Sequence, residues 1–262
     1  MGFISGSSLR RGLNIPSLPG LSQGTEFWRG LRIFCETTAI WRVQIDTFCS
    51  PCSPIPPLPG EISRRQRIEF VLSLQGNPLA GLSSNHRRNL ARAKKAGLSL
   101  IRTRQTSACD EHLRLMKASM ERRAKNGESV PLELDAALPR ALLSSSLGEL
   151  FQVTDGSRIL SSLLLLRASA GAYYQSAGTL PAGMEVGASP FLIAEVAVTL
   201  QREGVRTFNL GGTNPESAGL RRFKEGFGAV GVPLESVCFC PRRFWRRKLY
   251  SAARMCVTLA RS

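Results

Sequence analysis

Apolar residues recur along this chain at helical spacing in some stretches and at strand spacing in others, and the switches between them mark its elements. Residues 27–40 place Phe27, Leu31 and Phe34 on one helical face, and 41–48 and 67–74 read as strands on either side of the proline-rich stretch 51–60. A helix capped near Ser84 or Asn85 and ended by Gly97 follows, then a strand at 98–104. Helices are expected at 108–126 and 133–145, broken by Gly127 and Pro131, and strands at 149–154 and 158–167, joined by the hairpin signal Asp155-Gly156. A strand at 172–177 leads through a Gly/Pro-rich loop into a helix with Ser189 as N-cap, Pro190 at the first helical position and Gly204 as its stop. That helix is apolar almost all round (Phe191, Leu192, Ile193, Val196, Val198, Leu200), so it should lie buried against a sheet. The run 205–210 reads as a strand that turns through Gly211 and Gly212, and Asn214-Pro215 starts the next turn. Ser217 then caps a basic helix carrying Leu220, Phe223, Lys224 and Phe227, and a final strand covers 234–240. Residues 1–24 show no sustained period and read as a poorly ordered tail.

Composition narrows the class. A chain of 262 residues with 43% hydrophobic content can bury the core of one large or two small domains. Thirty-five Lys and Arg against nineteen Asp and Glu give a net charge of +16, which favours a polyanionic partner: tRNA, a phosphorylated donor or an acidic lipid surface. No apolar run reaches the roughly 18 residues of a membrane span; the run 159–166 is ended by Arg167. The first residues lack a signal-peptide pattern, and Gly6 stands where myristoylation needs Ser or Thr, so a cytoplasmic protein is the expectation. Seven scattered cysteines do not form a disulfide framework. Cys49-x-x-Cys52 and Cys238-x-Cys240 offer four thiolates, but the first pair is embedded in prolines, the second has strand spacing, and no histidine flanks either; no metal is expected. Two histidines, His86 and His112, also supply a Ser/His/Asp or Cys/His hydrolase poorly.

Three places offer chemistry. The buried helix fed by a glycine loop points free N–H groups and its positive dipole end toward Gly187, Ala188 and Ser189, which makes an anion site. Gly211 and Gly212 let backbone approach a ligand, next to the cations Arg221, Arg222 and Lys224, the last read as exposed. The helix near residue 84 carries a band of Arg87, Arg88, Arg92, Lys94 and Lys95, joined by His86 only if protonated, which suits phosphates. Each has a plainer structural reading, respectively a well-capped core helix, a strand-to-helix turn and a solvated helix face.

The series SSNHRRNLARAKKAGLSL, the Ser189-Pro190 helix, and FNLGG followed by GLRRFKEGFG resembles the GNAT superfamily of N-acyltransferases. It is most similar to the Fem-like branch, which contains peptidoglycan-bridge aminoacyltransferases and acetyltransferase-like proteins of cellulose and exopolysaccharide synthesis. The element order β-α-α-β-β-β-α-β-α-β is also that of a GNAT domain. The resemblance implies an α/β fold, with a mixed, mostly antiparallel central sheet flanked by helices, and a partial N-terminal lobe. It divides the chain into a flexible tail at 1–24, a partial first GNAT-like lobe at 25–82, an acyltransferase domain at 83–241 and a basic amphipathic C-terminal helix at 242–262.

What the resemblance implies chemically is transfer of an acyl or aminoacyl group to an amine, in cell-envelope or exopolysaccharide biosynthesis. Backbone N–H groups near Ala177 and Gly178 would face the acyl carbonyl, and Asn209, Gly211 and Gly212 of FNLGG join Gly187, Ala188 and Ser189 as donor-binding candidates. Lys224 matches a lysine that Fem-like enzymes place at the substrate, as electrostatic stabiliser or phosphate clamp, while Arg87, Arg88, Arg221 and Arg222 are substrate-binding candidates. By general acid–base logic Tyr174 would pass a proton to a leaving group, and Glu185 or Glu216 would take one from the amine. The GNAT pyrophosphate pattern Arg/Gln-x-x-Gly-x-Gly/Ala is not met, since Met184 stands three residues before Gly187 and Ser189 two after. The donor is therefore open between acyl-CoA, such as acetyl-CoA, and aminoacyl-tRNA. From residue 243 onward Trp245, Leu249, Ala253, Cys256 and Leu259 or Ala260 make a narrow apolar stripe flanked by cations, suited to the anionic inner face of a membrane or to docking on the domain. A catalytically inactive binding protein with the same fold, or a basic nucleic-acid binder, are the alternative readings.

Overall fold

The structure, a computed structural model, describes residues 3–5, 11–15, 24–47, 55–128, 130, 133–145, 147–168, 170–213 and 217–241. The chain divides into two compact units, Met1–Ile68 with Pro233–Ser262, and Glu69–Val232.

In the first unit five strands lie in the order β1 (Phe3–Ser5), β2 (Arg11–Ile15), β3 (Ile40–Asp46), β10 (Val230–Phe239) and β4 (Glu61–Ser73), the last two through their residues 233–239 and 61–68. The first two strands fall inside the stretch read as a tail. β1 pairs antiparallel with β2, which runs parallel to β3. FIS and RGLNI are too short to show a period, yet Leu13 and Ile15 bury against Val43, Ile45, Val237 and Phe239. Helix α1 (Thr25–Thr37) adds Cys35, Phe27, Trp28 and Leu31 to this cluster. Phe34, expected on the same face, is instead exposed, and Cys35 takes the buried place. Buried Glu235 accepts from the Ile55 N–H at 2.5 Å and from Arg64 at 3.0 Å, which pins the loop before β4.

The second unit begins at Glu69, before the boundary at 83 suggested by the sequence, because the end of β4 lies beside β9 (Thr207–Thr213). The Leu74 N–H donates to the Arg206 carbonyl at 2.9 Å. Its sheet continues through β8 (Gly171–Thr179), β7 (Ile159–Ala168), β6 (Gly148–Thr154) and β5 (Ser99–Thr103). β5 to β8 form an antiparallel meander, and β8 to β9 is parallel. Every residue of β6 is buried, as expected for a strand covered on both faces.

One face is covered by α6 (Ala188–Arg202), with α2 (Ser84–Lys95) packed over it; this second layer is why α6 is apolar almost all round. On the other face α3 (Cys109–Lys125) and α4 (Ala137–Ser144) bury Cys109 and Leu143 against Leu150 and Leu164. Two of the expected caps move. Ser83 caps α2, accepting from the His86 N–H at 3.3 Å. Gly187, at φ 75°, is the N-cap of α6, so Ser189 lies inside the helix. Ser217 holds the N-cap position of α7 (Ala218–Glu225), as expected, but makes no side-chain capping bond. The loop before α6 contains a further short helix, α5 (Pro181–Glu185).

Candidate active site

The parallel ladder between β8 and β9 holds three pairs, Gly171 with Thr207, Ala172 with Phe208 and Tyr173 with Asn209, and then ends, although β8 continues to Thr179 and β9 to Thr213. A register shift between Leu164 and Leu165, opposite Ser176 and Tyr174, leaves Gln175 as a bulge in β8 just beyond the last pair. The two strands thus form a fork.

Gly211 and Gly212 lie within β9 rather than in a turn after it, and Gly211 has φ 76°. Past the ladder three of their backbone polar groups bond to side chains. Asn209 Oδ1 accepts from the Gly211 N–H at 2.7 Å, and Lys224 Nζ donates to the carbonyls of Gly211 at 2.9 Å and Gly212 at 2.7 Å. Asn209 Nδ2 in turn donates to buried Glu69 at 2.7 Å. A Cβ built on Gly211 would lie 3.6 Å from the Tyr174 carbonyl, 3.7 Å from Lys224 Nζ and 3.8 Å from the Tyr173 hydroxyl, so these three groups surround the mouth of the fork.

Lys224 is therefore not the exposed cation suggested by its motif: it is 5% exposed, above the Phe70 ring at 5.9 Å. Burial lowers its pKa to about 8, against the opposing effect of the Glu69 charge. The helix that carries it is fixed by α2. The Ser83 N–H donates to the Gly226 carbonyl at 2.8 Å, and His86 Nε2 meets the Phe223 carbonyl at 2.9 Å. A carbonyl only accepts, so Nε2 carries the proton. Burial lowers the His86 pKa against that bond, so the ring is a neutral strut and not part of the phosphate-binding band.

Residues 82–225 match the family described as an acetyltransferase (GNAT) domain. The chain belongs to that family. It is accordingly an acyltransferase, and it carries the GNAT arrangement of a mixed sheet flanked by helices. Its fold is similar to that of FemX (TM-score 0.67, 11% identity, covering 89% of this chain and 83% of that one). It is also similar to L-PGS from Bacillus licheniformis (0.57, 12%, 91% and 80%). A third likeness is to the C-terminal domain of a putative lysylphosphatidylglycerol synthetase from Agrobacterium fabrum (0.55, 16%, 90% and 80%). No curated protein matches the sequence.

Within this GNAT domain, Lys224, Asn209, Gly211 and Gly212 come together at the fork, and Ala177 and Gly178 lie on its β8 wall. Tyr174 packs half-buried on the α6 side of the sheet, and burial pushes its phenol up to about 12, so it retains its proton near neutral pH. Its neighbour Tyr173, not singled out by the sequence, is the tyrosine whose hydroxyl reaches Gly211. Glu185 ends α5 with an exposed side chain, and its carbonyl accepts from Arg92 at 3.1 Å. Glu216 lies outside the described residues, as do Asn214, Pro215, Cys49, Cys52 and everything from 242 onward. Arg87, Arg88, Arg221 and Arg222 are exposed, Arg221 in an ion pair with Glu225 at 2.8 Å.

At the start of α6, Gly187 has no room for a side chain. A Cβ there would meet the Asn89 carbonyl of α2 at 2.6 Å. Pro190, the third residue of α6, also has no N–H to offer an anion. A pyrophosphate would find the N–H groups of Ala188 and Ser189 in the first turn beneath a neighbouring helix, a poorer cradle than an open glycine loop.

Proposed function

We propose that this chain transfers an aminoacyl group from an ester carried by tRNA to an amine, with bond exchange taking place in the fork of β8 and β9. The observation that carries this reading is a buried ammonium, Lys224, held by two carbonyls where the ladder ends. An amine attacking an acyl carbonyl develops negative charge on the carbonyl oxygen and then on the leaving atom. A fixed cation in a poorly hydrated site stabilises that charge without having to reorganise. The tetrahedral centre collapses as the C–N bond is retained and the bond to the leaving oxygen breaks. Tyr173 brings a hydroxyl group to the same place from β8.

The choice of tRNA over acyl-CoA rests on the crowded start of α6 and on the charge of +16. The names of the similar structures, FemX and lysylphosphatidylglycerol synthetase, support an acceptor in the cell envelope. A basic C-terminal segment would hold the enzyme against an anionic inner membrane surface.

Mass spectrometry of a lysine-containing peptide incubated with the protein and either alanyl-tRNA or acetyl-CoA tests the reaction. Thermal unfolding with tRNA or coenzyme A tests the donor, because a ligand bound to the native state raises the midpoint by mass action. Aminoacylated peptide together with a shift by tRNA is expected. Acetylated peptide together with a shift by coenzyme A would reverse the choice of donor, and no product with either would leave a binding protein of GNAT fold.

A further inference from the structure

His112 of α3 is fully buried, and both ring nitrogens are engaged: Nδ1 with Ser162 Oγ of β7 and Nε2 with Ser176 Oγ of β8, each at 2.9 Å. Burial pulls its pKa down to about 4, so the ring is neutral at ordinary pH and has one N–H. Which nitrogen holds that proton follows from the two serines. Ser162 is fully buried and its described side-chain bond is the one to His112, so its hydroxyl proton must go to Nδ1 or be left without an acceptor. Nδ1 is thereby the acceptor, and Nε2–H donates to Ser176. Ser176 Oγ then keeps its own proton, one remaining lone pair and a fixed orientation. It is half-buried and lies on β8 beyond the last pair with β9, just past the Gln175 bulge.

The scaffold around it is rigid. A Cβ on Gly178 would lie 2.2 Å from the backbone of Leu115 and Met116, so α3 rests directly on β8. Ser119 accepts from the Thr179 N–H at 2.8 Å and donates to the Thr179 carbonyl at 3.2 Å, holding the end of β8 as a neighbouring strand would.

We propose that the Ser176 hydroxyl is the proton shuttle of acyl transfer and that His112 is a positioning residue that aims it. As the amine nitrogen bonds to the acyl carbon, its N–H proton passes to the free lone pair of Ser176 Oγ. The hydroxyl proton of Ser176 passes to the leaving atom as the bond from the acyl carbon to that atom breaks. Serine ends as it began, the amide and the protonated leaving group are formed, and the imidazole stays neutral throughout. A buried histidine that resists protonation suits this task, since a charged ring would donate from both nitrogens and leave the Ser162 proton without its acceptor.

This inference rests on acyl transfer in the fork, and its test separates the two. With alanyl-tRNA and acetyl-CoA as donors and a lysine-containing peptide as acceptor, Ser176→Ala should lower kcat about 100-fold or more with KM within about threefold. Ser176→Thr, which keeps the hydroxyl, should recover most of the rate. In mixed H2O and D2O the wild-type rate should follow a curve for two protons in flight, and the residual rate of Ser176→Ala should lose that curvature. In the unmodified protein, nitrogen NMR should find His112 neutral and protonated at Nε2; protonation at Nδ1 would overturn the assignment whatever the variants do. Wild-type kcat in a folded Ser176→Ala, beside an active wild type, would overturn the shuttle alone. A wild type inactive with both donors would overturn the shuttle and the transfer reading together.

Discussion

At the scale of single residues, Lys224 shows where a sequence stops being informative. GLRRFKEGFG marks an amphipathic basic helix, but it cannot show that two glycine carbonyls further back in the chain will need a donor. That need arises because the β8–β9 ladder ends at Asn209, a fact of pairing and not of composition. His112 was passed over for a similar reason. Its partners Ser162 and Ser176 come from two other strands, and the available signal was serines set among the apolar residues of 159–166 and 172–179. The burial of Lys224 has a measurable sign. Its folded pKa, about 8, lies below the ordinary 10.5. Below pH 8 both states hold the proton and the folded state bears the full cost of a buried charge. As pH rises from 8 toward 10.5 the folded state gives up its proton first, and stability increases by about 3 kcal/mol from this group. Chemical denaturation across that range should show the rise in wild type and a flatter curve in Lys224→Met; parallel curves would deny the buried charge. The same variant should lose transfer activity by about 100-fold or more.

Among the elements, order and type were largely legible, because helix and strand periods alternate cleanly from residue 84 to 239 and the Asp155-Gly156 hairpin and Gly204 stop are unambiguous. What the sequence left out were the contacts that give single positions their meaning. Gly187 reads as space for a donor, whereas it is the point where α2 lies across the start of α6. Gly187→Val therefore sets a side chain against the Asn89 carbonyl and forces φ 75° on a β-branched residue. It should lower stability by about 2 kcal/mol or more, seen as a lower unfolding midpoint without any ligand. A Gly187→Val protein as stable as wild type, yet unable to bind tRNA or coenzyme A, would restore the open-cradle reading. The short strands β1 and β2 were missed because three and five residues carry too little pattern to stand out from a Gly/Ser-rich stretch.

For the whole molecule, the net charge of +16 is concentrated in part in stretches whose cations have no acidic neighbours in sequence, such as residues 84–104 and 242–262. The second of these lies outside the described residues, so its role is open to a direct experiment. Full-length protein should sediment with anionic vesicles and not with neutral ones, and a chain ending at Pro241 should stay in solution; equal sedimentation of both would remove the segment from the account of function. The three-pair ladder between β8 and β9 has a consequence of its own. Apart from Thr179, whose N–H is held by Ser119, backbone amides on the β9 side of β8 beyond Tyr173 have no partner strand to protect them, so they should exchange with solvent deuterium faster than the paired amides of Gly171, Ala172 and Tyr173. Any donor seated in the fork would slow that exchange at those few positions, turning the open end of the sheet into a local gauge of occupancy that needs no turnover.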